Sequence, residues 1–182
     1  IWAKNGGGVS NDSTFAISLT DDGLRFNICG EFQGTNAKFD NQQLTSNAGS
    51  MDGFIAQYNT SGGLIWVTPF GGATEDKALG VVCAPNDIAF VTGYYTGNAN
   101  IGLTQRNPYD KAVKNYFLGK IASGGSIPYV YDGTRSRQNV TGESYGYEIA
   151  YEPSDNRIYV HGKYKGKISD ENNPTKYFLP QT

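Results

Sequence analysis

The chain has 182 residues, among them 24 Gly, 13 Tyr, 9 Phe and 2 Trp, and a formal net charge of −2. Gly stands at nearly double its usual share, charged residues at 18% lie below theirs, and the aromatic content excludes a disordered chain. The charge offers no basic field for nucleic acid or anionic lipid, and no apolar run reaches the ~18 residues of a membrane-spanning helix.

In chain order, Ile1-Trp2-Ala3-Lys4-Asn5-Gly6-Gly7 is echoed by Ile65-Trp66-Val67-Thr68-Pro69-Phe70-Gly71-Gly72. Residues 1–7 therefore read as an outer strand of a preceding or closing repeat. Residues 15–20 predict a strand that ends at Asp21-Asp22-Gly23, a turn in which Gly supplies positive φ. Residues 24–32 predict the next strand, with Leu24, Phe26, Ile28 and Phe32 on one face at period two. Residues 53–58 and 65–70 predict two more, joined by Asn59-Thr60-Ser61-Gly62-Gly63. Further turns fall at Pro85-Asn86-Asp87 and Pro153-Ser154-Asp155-Asn156. No stretch holds a 3.6-residue period for more than two turns.

Self-comparison explains this order. Phe26-Asn27-Ile28-Cys29-Gly30-Glu31-Phe32-Gln33-Gly34 recurs 63 residues on as Ala89-Phe90-Val91-Thr92-Gly93-Tyr94-Tyr95-Thr96-Gly97. A third copy, a further 69 on, is Ile158-Tyr159-Val160-His161-Gly162-Lys163-Tyr164-Lys165-Gly166. Residues 54–66 recur at the same spacing as residues 117–129. Four strands per repeat with periodic Gly and aromatic residues predict an all-β propeller of four-stranded antiparallel blades. The repeats run over residues 8–72 and 73–135, with 136–182 partial. Closed propellers have 4–8 blades, so the chain reads as part of a larger propeller. One small sheet cannot cover both its faces, so the repeated Phe, Tyr, Ile and Val are expected to fill layers between blades. Gly30, Gly93 and Gly162 are expected to leave room for an aromatic from the next blade.

The string Gly71-Gly72-x3-Asp76-x-Ala78-x-Gly80, then Asn86-Asp87-x3-Val91-Thr92-Gly93-Tyr94-Tyr95, resembles the bacterial β-propeller repeat family abbreviated SBBP. Asp52-Gly53-Phe54-Ile55-Ala56-Gln57-Tyr58-Asn59 matches a further part of that family's repeat. The resemblance weakens after Arg135, where Thr141-Gly142-Glu143-Ser144-Tyr145 replaces the Gly-Gly-x3-Asp segment and Tyr129 replaces Trp. It implies a secreted or cell-surface protein of the kind common in Bacteroidota, lying beside adhesion modules, and it carries no shared catalytic residues. Ala56-x-Tyr58-x-x-Ser61-Gly62-x-x-x-Trp66 also resembles the tryptophan-docking motif of quinoprotein propellers, in which a Gly turn and a Trp lock one blade to the next. We read shared blade mechanics there, without a quinone.

The chemistry is sparse. His161 is the only histidine and falls on an ordinary strand position, which leaves no Ser-His-Asp or Cys-His triad within the chain. Cys29 and Cys83 hold different places in their repeats, leaving open a disulfide between blades or two free thiols packed as small apolar groups. The acidic residues Asp12, Asp21, Asp22, Asp52, Glu75, Asp76 and Asp87 sit beside turns, where Asp bonds its own backbone. Glu75-Asp76 keeps calcium open, and no other cofactor is expected. Tyr94, Tyr95, Tyr129, Tyr131, Tyr145, Tyr147 and Tyr151 supply either contact surface for a partner or packing between blades. Asp12-Ser13-Thr14 resembles an O-glycosylation acceptor. The expected function is a non-catalytic extracellular binding or adhesion module contacting protein or glycan through its loops. The alternatives are a structural part of an extracellular assembly and an accessory propeller of a carbohydrate-active enzyme.

Overall fold

The computed structural model describes residues 1–108, 110–132, 143–164 and 178–179. The chain is all-β, built of antiparallel meanders. In the first, β1 (Ser13–Leu19), β2 (Arg25–Gln33), β5 (Met51–Asn59) and β6 (Leu64–Gly72) pair in that order. Between β2 and β5 lies a small hairpin of β3 (Ala37–Phe39) and β4 (Gln42–Leu44). The second meander repeats this plan with β7 (Lys77–Ala84), β8 (Ile88–Tyr95), β11 (Asn115–Ile121) and β12 (Tyr129–Asp132). Its hairpin is β9 (Ala99–Ile101) and β10 (Thr104–Arg106). The third contributes β13 (Ser144–Glu152) and β14 (Arg157–Tyr164), with the two-residue β15 (Phe178–Leu179) pairing parallel to β14. The first two meanders place an antiparallel strand there instead. Thr141, Gly142, Lys165, Gly166 and Tyr177, which the repeat pattern includes, lie outside the described residues.

The three meanders stack face to face, with β7 packed against β1 and β2 on one side and β13 on the other. The main core lies between the first two, where Cys29 and Ile55 meet Val81, Val91 and Phe117. Phe70 and Phe117 meet edge to face at 5.1 Å.

One expectation is corrected. A Cβ on Gly30, Gly93 or Gly162 would collide with a backbone carbonyl of the paired first strand, at Ser13, Lys77 and Tyr145 respectively, rather than with an aromatic of the next meander. At each position the strand pair crosses a β-bulge that adds one residue: Phe15 in β1, Leu79 in β7, Tyr147 in β13. The bulge pushes the first strand's carbonyl against its neighbour, and only Gly leaves room. Of the two readings left open for the cysteines, the structure has the free thiols, at both Cys29 and Cys83. Burial raises both above the ordinary thiol value. Cys83 Sγ lies 3.3 Å from the Ser18 carbonyl oxygen and receives the Asn27 amide at 3.3 Å, so it works as a junction residue.

Candidate functional site

Successive meanders are joined by a repeated lock. Gly125 has φ +85°, and the Trp66 indole lies so close over it that a Cβ there would sit 2.5 Å from Trp66 Cε3. Trp66 Nε1 donates to Gln57 Oε1 at 3.1 Å, and Thr68 Oγ1 donates to the Gly125 carbonyl at 2.7 Å. Trp2 covers Gly62 in the same way and donates from Nε1 to the Thr60 carbonyl at 2.9 Å. A second lock explains the Gly-Gly-x3-Asp string. Asp76 accepts the Gly72 N–H at 2.7 Å and the Thr96 N–H at 3.0 Å, tying the end of one meander to the second strand of the next. Asp12 accepts the Gly8 and Gln33 N–H groups at 2.7 and 3.2 Å, one repeat earlier.

Burial pushes the Asp76 carboxyl up to about 7, against the pull of its two N–H donors, with the Asp52 and Glu75 charges adding to the rise. The Asp52 and Asp76 carboxylates flank Gly71, each within 3.0 Å of where a Cβ there would stand. Glu75 instead accepts the Tyr94 hydroxyl at 2.8 Å and pairs with Lys77 at 3.0 Å. Among the described residues, no group of three or more His, Cys, Asp or Glu is placed to hold a metal ion.

The bulges create the site. A bulge re-aims the side chain it carries. Here Phe15, Leu79 and Tyr147, one from each repeat, line a single cleft of about 420 Å³ where β1, β7 and β13 converge. Glu148 brings a carboxylate to the same cleft. Its remaining side chains are apolar apart from the Tyr147 hydroxyl, and polar atoms share the exposed wall almost evenly with apolar ones. Beside it runs a band of charges and rings. Lys77 spans Glu31 at 2.6 Å and Glu75, and sits 5.9 Å from the Phe15 ring. Lys114 lies 4.4 Å from the Tyr94 ring and 5.6 Å from Tyr145, and Lys163 lies 5.7 Å from Tyr145. Tyr145 and Tyr147 meet edge to face at 5.0 Å. The Tyr147 hydroxyl is raised to about 12, chiefly by its hydrogen bond with Tyr145.

The tyrosines singled out in sequence divide. Tyr94 and Tyr95 are buried, Tyr131, Tyr145 and Tyr151 are half-buried, and Tyr129 and Tyr147 are exposed. Tyr147 alone among them lines the cleft; Phe15, Leu79 and Glu148 join it unforeseen. Each immediately follows the first-strand residue paired with a repeat Gly or stands one position beyond it, a relation that exists only once the strands are paired. His161 sits on β14 opposite Glu148, its ring 6.1 Å from Tyr147, half-buried beside the cleft. No helix among the described residues is long and apolar enough to cross a membrane. No protein-family model matches the chain, and no curated protein matches it.

Proposed function

We propose that the chain is a run of β-propeller blades of the SBBP kind, working as a non-catalytic secreted or cell-surface binding module. Support for the architecture comes from the lock that repeats between meanders: Trp2 over Gly62, Trp66 over Gly125. The observation that carries the binding role is the convergence of Phe15, Leu79 and Tyr147 on one cleft. Three repeats spend their bulges on aiming side chains at the same place. An aromatic face beside a carboxylate and a band of lysines suits a glycan, whose C–H face stacks on a ring while its hydroxyls take polar partners. Titration against a glycan array tests this. Tyr147→Ala and Leu79→Ser are expected to weaken capture about tenfold each, the loss of roughly 1.4 kcal/mol of contact. A chain that captures no glycan, or whose capture ignores both substitutions, overturns the glycan reading.

A structural role in an extracellular assembly is the second reading. It draws on the density of the junctions, where hydrogen bonds, an ion pair and an edge-to-face ring pair fix one meander on the next.

A further inference from the structure

The cleft at Phe15, Leu79 and Tyr147 is built from strand edges. Residues 15–16 of β1, 79–81 of β7 and 147–149 of β13 line it. Successive residues of a strand point to opposite faces of their sheet, so a cleft lined by consecutive residues meets each strand edge-on. Each of these strands also stands at the edge of its sheet. Among the described residues β1 pairs only with β2, β7 only with β8 and β13 only with β14. Along such an edge every second residue turns its N–H and C=O away from the partner strand. That explains why polar atoms hold nearly half of the exposed wall although few of its side chains are polar. Three sheets thus offer main-chain donors and acceptors to one cleft, and one bulge side chain from each reaches over them.

Such a surface suits a ligand with hydroxyls along its edges and apolar flat faces. Charge narrows the class. Lys77, 5.9 Å from the Phe15 ring, is taken by Glu31 at 2.6 Å and Glu75 at 3.0 Å, and Glu148 repels an acidic sugar. Spacing narrows it further. β7 packs between β1 and β13, and stacked sheets lie ~10 Å apart, so the three side chains follow one another at about that interval. In a flat β-1,4-linked chain each sugar is turned over relative to the last, so every second sugar presents the same face. That two-sugar repeat is about as long as the sheet spacing. Phe15, Leu79 and Tyr147 can then meet alternate sugars of a single chain.

We propose that the cleft binds an uncharged, linear, β-1,4-linked glycan laid across β1, β7 and β13. Alternate sugars rest on Phe15, Leu79 and Tyr147, and their hydroxyls bond the strand edges. To reach from the first of these side chains to the last, the chain needs about five sugars, two for each ~10 Å step between sheets. The inference rests on the glycan reading above and adds linkage, charge and length to it.

Titration calorimetry with cellotetraose and cellohexaose tests it. The hexaose is expected to bind about tenfold more tightly, because the tetraose is too short to reach from Phe15 to Tyr147. In Phe15→Ala and in Tyr147→Ala that advantage is expected to fall to about twofold, since one end of the row is gone. Both side chains are exposed, so the circular dichroism of the variants is expected to match wild type. Two further hexamers are expected to bind about tenfold more weakly than cellohexaose: maltohexaose, whose α-1,4 linkage curves the chain, and β-1,4-linked mannuronate, flat but acidic. Equal affinity for the tetraose and the hexaose, or for the flat and curved hexamers, overturns the proposal, as does tighter binding of the acidic one. If the chain captures other glycans but not cellohexaose, only this inference fails. If it captures none, the glycan reading fails with it.

Discussion

The junction between the first and second repeats and that between the second and third use the same positions with different chemistry. The first is held by polar groups around an aromatic centre. Asp87 gathers Arg25 at 2.8 Å, Gln57 at 3.0 Å and Ser123 at 3.0 Å, while Phe70 and Phe117 pack beneath. The second relies on ring pairs, Phe90 stacked on Tyr151 and Tyr94 tilted against Tyr145, with one hydroxyl, Ser144 Oγ, accepting the Tyr116 N–H at 3.0 Å where Asp76 stands one repeat earlier. Trp66 closes the first at its outer edge, whereas Tyr129, its counterpart in the second repeat, is 70% exposed. The repeat thus fixes where meanders touch and leaves open how. The first junction should carry more of the stability.

The largest test is Phe117→Ala. Phe117 is fully buried at the centre of the first junction, and its loss leaves a cavity against Phe70. A drop of about 4 kcal/mol in unfolding free energy is expected from urea denaturation. A drop near 1 kcal/mol would mean that the two meanders do not depend on each other.

Next comes pH. Asp76 stands at about 7 against an ordinary 3.8, so from about pH 4 to 7 the folded chain holds a proton the unfolded chain has released. Stability therefore falls as pH rises through this window, by at most about 1.4 kcal/mol per pH unit for this group. Asp76→Asn is expected to flatten the slope while losing one accepted N–H. Asp22, drawn down to about 2 chiefly by the Thr20 hydroxyl, acts only below pH 4, so its loss on acidification is separable. Ser144 carries no such charge, so the second junction should be indifferent to the same window. Thermal melts across pH 4–8 for wild type and Asp76→Asn decide it.

The strands that carry the stack were legible because each repeat places the same Gly and aromatic residues at the same positions, and the Trp–Gly dock was legible through its resemblance to the tryptophan-docking motif. The hairpins β3–β4 and β9–β10 were not, since three-residue strands are too short to show a period, although Asp40 and Gly102 with positive φ mark equivalent turns. The charged band was hidden by the repeat itself. Ser13, Lys77 and Tyr145 are equivalents, as are Glu31, Tyr94 and Lys163. Divergence at these positions makes the Lys77–Glu31 pair possible, and a search for sameness passes over it. The cleft was hidden because bulges place its residues, and a bulge appears only once two strands are paired.

Two neighbouring glycines sharpen the account of the outer lock. Gly124 and Gly125 have φ +83° and +85°, so Ala is strained equally at both. A Cβ at Gly124 meets nothing within 4 Å, whereas one at Gly125 meets the Trp66 indole. Gly124→Ala is expected to cost about 1 kcal/mol and Gly125→Ala about 2 kcal/mol more, the cost of overpacking. In a Trp66→Ala background that difference should shrink to what Thr68 Oγ1, 2.9 Å from the same Cβ position, imposes. An undiminished difference would mean that Trp66 does not dock there.

The smallest effect separates the junctions by mechanism. Phe90 and Tyr151 lie nearly parallel, 19° apart, on a half-buried surface, so their coupling in a double-mutant cycle to Leu is expected near 1 kcal/mol. Leu keeps most of the buried area, so what the cycle reads is ring on ring. The matched cycle at the first junction, Asn27→Ala with Cys83→Ala, removes a weak amide-to-sulfur hydrogen bond and should read about 0.5 kcal/mol. Cys83 also donates its backbone N–H to Ser18 Oγ at 3.0 Å, a bond that survives either substitution and keeps the strands in register. Coupling at this one position is therefore expected to be greater at the junction that is weaker as a whole. The first junction spreads its stability over Phe70–Phe117, Asp76, Asp87 and the Trp66 dock, and the second concentrates what it has in two pairs of rings.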